Sequence, residues 1–511
     1  MQDKLKFLCL LLLPLLVLLP SCDDELLIES PTNFLSPVNF YRNAADAQIA
    51  LNGLYAGQQR CQGYSGGDAG VALLWGMHGA DEIVVPPWTP PGRRTLFLFS
   101  LTPSIDVVLT IYERHYQEIN RANTVINQVS LMTEDKINDD EKKRILAEAR
   151  ALRGSFYFNL VRIYNRVVLV TEERTDLNNL DFVQSEPEEV YAQVISDLSA
   201  AIPDLEVEGE TGRITKGAAQ ALLGKVYLQM AGIPLNQTDK YALAAQQFEA
   251  VINSGTYELL DDFQQIFDEE NELNKEMVWV VEHDAPGETI DGSQNSNLGS
   301  FMGPGGSLND GGGWGTAWSA YDLELAYDRK DQRRRVTIAY GNAPTAIDST
   351  NGPNQFRPWK WQKPAGQAWG NDTPFDYPYI RYANVLLRYA EAHAMAAGSV
   401  TPEAVAAFNE VRARARAGAN PATTSPPITT AMPLDEFMAE MDQECYRELA
   451  FEGHRKGDLI RWGTLINRMN TMAPQTAVWP GQPDAQDYEI IWPIPQEVLD
   501  LNPLMEQNPG W

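Results

Sequence analysis

Thr215-Lys-Gly-Ala218-Ala-Gln-Ala221-Leu222-Leu-Gly224-Lys-Val226-Tyr-Leu-Gln-Met230-Ala-Gly232-Ile-Pro234 is the stretch from which the fold is read. Ala219, Leu222, Val226 and Met230 recur at helical spacing and define one apolar face, and Gly232 with Pro234 ends the run. Ala218, Ala221 and Gly224 are small enough to let another helix approach closely. After a short turn, Tyr241, Ala244, Phe248 and Val251 give a second face, closed by Gly255. Two helices joined by a short turn form a hairpin, and the rest of the chain is read outward from that unit.

From Asp139 onward, Ile145, Ala149, Leu152, Phe156, Leu160 and Ile163 repeat at spacings of three and four, with Arg and Lys expected on the opposite face. Asn138 and Glu141 fit a capping box. Thr401 is the expected N-cap of a further helix, with Pro402 at its first position and Gly418 at its C-terminal cap. Ala244 with Phe248, and Ala404 with Phe408, match the alanine–phenylalanine element of tetratricopeptide repeats. The fold class expected is mainly α, with tetratricopeptide-like hairpins occupying about 36–282 and 379–470.

Residues 60–104 and 283–378 interrupt this pattern with Gly, Pro and aromatics, among them Gly303-Pro304-Gly305-Gly306 and Gly311-Gly312-Gly313-Trp314-Gly315. Long loops in a compact protein are usually functional or disordered. Trp314, Trp318, Trp359, Trp361 and Trp369 fall in the second segment, and disordered chain is poor in such residues. Both segments are therefore expected to be ordered and ligand-facing, followed by a C-terminal extension over 471–511.

The chain starts with Lys4 and Lys6, then an apolar run from Phe7 to Leu19, then Leu19-Pro20-Ser21-Cys22. This is the layout of an export signal over 1–21. The run is well short of the roughly 20 residues of a membrane-spanning helix. Leu19 to Cys22 has the form of a lipobox, with Pro20 in place of the usual small or β-branched spacer. Cys22 is expected to be lipidated as the mature N-terminus, with 22–35 an acidic tether. Asp23-Asp24-Glu25 resembles the signal that sends Bacteroidetes-type lipoproteins to the outer cell surface.

Composition excludes some partners. The formal net charge is -29, with 44% hydrophobic residues over 511. That charge argues against nucleic acid, which needs a basic footprint. Cys61 and Cys445 are the cysteines beyond the signal and anchor, and the sequence leaves open whether they pair.

Several patterns resemble catalytic or metal motifs without their context. Gly63-Tyr-Ser65-Gly-Gly67 matches G-x-S-x-G, but a nucleophile elbow needs a preceding strand and a following helix. His78, His115, His283, His393 and His454 form no compact metal pattern. Asp176, Asn178 and Asp181 suggest calcium without an EF-hand loop, so a structural Ca²⁺ has no motif behind it and no cofactor is expected. No coherent catalytic motif emerges, and the expectation is a binding protein, not an enzyme.

Ordered motifs run through the chain: Asp81-Glu82; Arg153-Gly-Ser-Phe-Tyr-Phe-Asn-Leu-Val-Arg162-Ile-Tyr164; Ala218 to Leu228; Arg381-Tyr-Ala-Asn-Val-Leu-Leu-Arg-Tyr-Ala-Glu391-Ala; Arg447-Glu-Leu-Ala-Phe-Glu452-Gly-His-Arg455-Lys-Gly-Asp458-Leu-Ile-Arg461-Trp462; and Trp492-Pro-Ile-Pro495 to Gln507-Asn-Pro-Gly-Trp511. Together with the lipobox they resemble the SusD/RagB family of nutrient-uptake lipoproteins from end to end. The resemblance implies a surface lipoprotein that acts as a lid on a SusC-like TonB-dependent transporter and binds glycan, or in some relatives peptide. Arg153, Glu391, Glu452, Arg455, Asp458 and Arg461 are read as helix-packing ion pairs.

By position, the segment after Asp81-Glu82 and the insertion before Tyr321-Asp322 resemble the family's ligand-facing loops. A flat ring covers the C–H face of a sugar while polar groups satisfy its hydroxyls. Trp88, Trp314 and Trp318 are the expected stacking residues, Asn309 and Asp310 the polar contacts, and Trp75 and Trp369 lesser candidates. The alternatives are peptide cargo or, from a different class, a surface glycan hydrolase.

Overall fold

A computed structural model of the chain describes residues 40–63, 70–173, 182–209, 212–283, 296–302, 313–340, 356–361, 373, 375–474 and 479–511. Cys22, Ser65, Asp176, Asn178, Asp181, Asn309, Asp310 and Trp369 lie outside the described residues.

The scaffold is helical. Its longer helices are α1 (Ala44–Gln62), α2 (Pro91–Leu98), α3 (Asp106–Leu131), α4 (Asp139–Tyr164), α5 (Pro187–Ala201), α6 (Lys216–Ala231), α7 (Lys240–Asn253), α8 (Tyr382–Ala397), α9 (Pro402–Arg416), α10 (Leu434–Glu448) and α11 (Arg455–Arg461). From α3 to α9 each packs on the next. The α6/α7 hairpin depends on one small residue: a Cβ on Gly224 would lie 2.8 Å from the ring of Phe248, which is fully buried. Ala244, Ala404 and Phe408 are also fully buried.

The caps largely follow the sequence. The Thr215 and Thr401 side chains accept from the N–H groups of Ala218 (3.2 Å) and Ala404 (3.1 Å). Asn138 accepts from the Glu141 N–H at 2.9 Å, but Glu141 bonds the Asn138 side-chain amide instead of completing a backbone capping box. Helix α9 ends one residue early, because Ala417 already takes the left-handed conformation (φ 45) ahead of Gly418.

The expectation that Arg and Lys cover the outer face of α4 holds along its first half, where Lys142, Lys143, Arg144 and Arg150 are exposed or half-buried, and is corrected along its second. Helix α4 is packed against α1, α3, α5 and α6 and has little outer face left along its second half. Arg153 is buried and donates to Asp197 of α5 (2.9 and 2.6 Å) and to Asn123 of α3 (2.8 Å), so one guanidinium ties three helices. Arg162 is stacked on Trp75, 4.5 Å from the ring centroid.

Short strands organise the rest: β1 (Ile83–Val84), β2 (Val167–Val168), β3 (Gln184–Ser185), β4 (Met277–Val281), β5 (Trp318–Ser319), β6 (Ile338–Tyr340), β7 (Phe356–Pro358) and β8 (Tyr377–Arg381). They pair antiparallel as β1–β5, β2–β3, β4–β8 and β6–β7. Helix α8 packs directly on α7 although residues 254–381 separate them. That insertion is looped out of the helical stack and closed at its base by β4 and β8.

The base is charged and dry. Arg381 reaches Glu276 (2.5 Å), Glu448 (3.1 Å) and Glu452 (2.7 Å), all with fully buried side chains. Lys360, Arg333 and Arg414 join the same carboxylates. Buried carboxylates persist only when paired and hydrogen-bonded. Nearby, Arg461 bonds Glu391 and Asp458, and Arg455 bonds Asp81. The charged motifs of 381–391 and 447–462 are therefore structural, as the sequence implied. Cys61 and Cys445 are both buried and free.

The C-terminal extension latches onto the end of α4. Trp492 is fully buried and its backbone N–H donates to the Ile163 carbonyl at 2.8 Å, while the Asn508 side-chain amide donates to the Tyr164 carbonyl at 2.8 Å.

Candidate ligand-binding site

Segment 81–94 is fixed at its start. Asp81 accepts both arms of Arg455 (2.7 and 2.8 Å), and its carbonyl accepts from the Tyr446 hydroxyl at 2.8 Å. Glu82 is fully buried and accepts from the Phe451 N–H at 3.1 Å. From there β1 pairs with β5, with Val84 opposite Trp318, and Ala320 donates back to the Glu82 carbonyl at 2.9 Å. This pairing carries the early Pro-rich segment onto the looped-out insertion. Pro86, Pro87, Pro90 and Pro91 then restrict the backbone on both sides of Trp88.

Two indoles share one acceptor. Trp88 and Trp318 both donate from Nε1 to the carbonyl of Gly315, at 3.3 and 3.2 Å. Their rings meet edge to face with centroids 6.0 Å apart, a favoured aromatic geometry. The Thr89 hydroxyl donates to the Thr316 carbonyl at 3.3 Å.

The expected stacking residues take different roles. Trp88 is 58% exposed, and among the described residues no other tryptophan is exposed. Trp318 is 7% exposed and its face is covered by the Arg357 guanidinium, 3.0 Å from the ring centroid, so it supports the shelf and is not itself a platform. Trp314 is half-buried, edge to face with Phe301 at 4.4 Å, and Phe301 in turn lies under Arg93 at 4.3 Å. Trp75 is corrected outright. It sits in a π-helical turn (Ala72–Met77), is 1% exposed and packs on Gly457, so it is a core residue and not a ligand contact.

Arg357, Thr89 and Phe301 were not anticipated. Arg357 lies in β7, opposite Ala339 of β6. Burial pulls its pKa down to about 10, and among the described residues Nε and Nη1 have no hydrogen-bond partner. The described segments that build the shelf, 83–94, 296–302, 313–321 and 356–361, contain Arg93, Arg94, Arg357 and Lys360 and neither Asp nor Glu.

Carboxylates with raised pKa values lie elsewhere. Burial pushes Glu82 up to about 8, but it is sealed in the core. Burial also pushes Glu272 up to about 7, and its carboxylate accepts from the Asp376 N–H at 2.8 Å. Among the described residues, no group of three or more His, Cys, Asp or Glu side chains is placed to hold a metal ion. A separate open concavity of about 310 Å³, lined by Arg213, Thr215, Tyr257, Lys275 and Trp279 among others, shares no residue with the shelf. There Trp279 is 2% exposed, and Tyr257 is half-buried with its hydroxyl bonded to Thr215.

Comparison with known proteins agrees with this architecture. The family model described as the SusD family matches residues 275–511, and one described as starch-binding, associating with the outer membrane, matches 100–228. SusD-like protein P2 of Formosa agariphila is 29% identical over 532 aligned residues, covering 97% of this chain and 98% of that protein. The crystal structure of a SusD homologue from Bacteroides thetaiotaomicron superposes with a TM-score of 0.80 at 26% identity, covering 93% of this chain and 98% of that one. A laminarin-binding SusD-like protein superposes with a TM-score of 0.72 at 25% identity, covering 92% and 100%.

Proposed function

The chain belongs to the SusD/RagB family, and we propose that it captures oligosaccharide at the outer surface of the outer membrane and passes it to a SusC-like TonB-dependent transporter without transforming it. The observation that carries this reading is Trp88. An indole costs free energy when left in water. Here it is held out by flanking prolines and braced by Trp318 and the Gly315 carbonyl. Such a preformed ring stacks on the apolar face of a sugar with little loss of conformational freedom. Relatives described as starch-binding and laminarin-binding support carbohydrate as the cargo class.

Membrane attachment is assigned to a lipid on Cys22. Among the described residues, no helix is long and apolar enough to cross a membrane. Several acyl chains, each contributing about 0.8 kcal/mol per buried CH₂, hold a protein firmly at a bilayer. Binding without turnover fits the burial of Glu82 and the absence of a coherent catalytic motif in the sequence.

The test is affinity electrophoresis of the soluble form, starting after Cys22, through gels containing single polysaccharides. Retardation by one glycan class, lost in Trp88→Ala while the melting temperature holds, supports the reading. Equal mobility of the folded wild-type protein in every gel overturns it.

A further inference from the structure

Resting on the glycan-binding reading, we infer that the Trp88 shelf is built for acidic glycan, with the Arg357 guanidinium as the partner of a carboxylate or sulfate group on the sugar. The juxtaposition is what carries it. Arg357 lies flat on Trp318, and Trp318 meets Trp88 edge to face. An exposed stacking ring and a half-buried cation are thus joined through one intervening indole.

Arg357 stands apart from the other buried guanidiniums. Arg153, Arg333, Arg381, Arg412, Arg455 and Arg461 each reach at least one carboxylate. Arg162, which lacks one, still donates to Asn159 at 2.6 Å. Arg357 makes neither kind of bond among the described residues, and its Nε and Nη1 are enclosed without acceptors. A buried donor left unmade costs about 1–3 kcal/mol, more when charged. The aromatic face beneath it offsets part of that cost but supplies no acceptor for the N–H groups. Burial holds its pKa below the ordinary guanidinium value, in keeping with the lack of a carboxylate partner among the described residues.

The surroundings point the same way. The chain carries a net charge of -29, yet the described segments around the shelf hold no Asp or Glu, and one of their basic residues, Lys360, is paired with a carboxylate, Glu452, among the described residues. Arg93, over Phe301 beside Trp314, and Arg94, which donates to the Pro87 carbonyl at 2.6 Å, place two more cations along the segment that presents Trp88. A neutral sugar gains little from cations on this side of the fold. An anionic one is drawn in and gains charge-assisted hydrogen bonds.

The experiment compares matched probes by isothermal titration calorimetry: hexagalacturonate against maltohexaose for carboxylate, dextran sulfate against dextran for sulfate, and hexaglutamate for an acidic peptide. The wild type should prefer an acidic glycan, with affinity falling as NaCl is raised from about 50 to 500 mM. Arg357→Gln should weaken the preferred acidic glycan roughly tenfold or more and leave any neutral glycan unchanged. Arg357→Lys should recover part of the loss, and thermal melts of both variants establish that they fold. Uronate-only, sulfate-only or joint preference each supports the inference and identifies the group. Neutral glycan preferred, with Trp88 required and Arg357→Gln silent, overturns the inference and leaves the glycan reading standing. Hexaglutamate bound in place of every glycan, or no probe bound, overturns both.

Discussion

Arg381, the last residue of β8, grips Glu452 with two parallel hydrogen bonds of 2.7 and 2.8 Å, both side chains fully excluded from solvent. Residue 381 closes the looped-out insertion, and residue 452 lies in the turn that leads from α10 into α11, whose first residue, Arg455, anchors Asp81. The pair therefore sets where the looped-out insertion sits relative to the helices. Replacing Arg381 with Met leaves Glu276, Glu448 and Glu452 short of cations in a dry site. The expected cost is about 3–5 kcal/mol, read from the urea midpoint. A loss under about 1 kcal/mol would mean the junction admits water.

Gly224 predicts a local steric effect. Alanine is ordinarily favoured over glycine in a helix by about 1 kcal/mol. Here the added Cβ would come 2.8 Å from the buried ring of Phe248. Overpacking should outweigh propensity, so Gly224→Ala destabilises by about 1–3 kcal/mol. Trimming the ring should relieve it. The Gly224→Ala/Phe248→Leu double variant is expected to lose less than the sum of the two single changes in a double-mutant cycle.

Trp75 and Trp88 separate core from site. Trp75→Ala removes a buried indole under Arg162 and should cost about 3–5 kcal/mol, lowering the melting temperature whether or not ligand is present. Trp88→Ala removes an exposed ring with one hydrogen bond and one ring contact, so its stability should stay within about 1 kcal/mol. Its glycan binding should weaken tenfold or more. Equal thermal losses in the two variants would contradict these placements.

The helical scaffold was legible because its signal is local. Ala219, Leu222, Val226 and Met230 lie within one helix, and each is buried in α6 as their spacing implies. The outer face of α4 shrinks along its second half for a related reason. A 3.6-residue period sorts residues against one neighbour, whereas α4 has helices on several sides. Trp75 lies in a Gly- and Pro-rich stretch that reads as loop, but a wide helical turn folds it inward. Arg357 was invisible. Phe356-Arg357-Pro358 has no period of its own, and its meaning comes from β5 lying against β1, a pairing between residues 83–84 and 318–319. Trp88 and Trp318 were found by composition and approximate position, but only that pairing shows one presented and the other braced beneath Arg357.

Glu82 makes the fold sensitive to rising pH between about 4.5 and 8 at one carboxyl. Burial raises its pKa from the ordinary 4.5 to about 8, and one oxygen is enclosed without a partner while the other accepts from the Phe451 N–H. The folded chain thus holds this proton up to about pH 8, whereas the unfolded chain releases it from about 4.5. Between those values the unfolded state binds fewer protons, so this group's contribution to stability falls as pH rises and levels off above 8. Glu82→Gln keeps an acceptor for Phe451 and never ionises. Its melting temperature relative to the wild type should therefore climb steadily from pH 5 to pH 8 and then flatten, with the other titrating groups common to both proteins cancelling. A difference that stays constant over that range would show that Glu82 is ionised in the folded protein, with its charge compensated by Arg455, the cation that already binds the neighbouring Asp81.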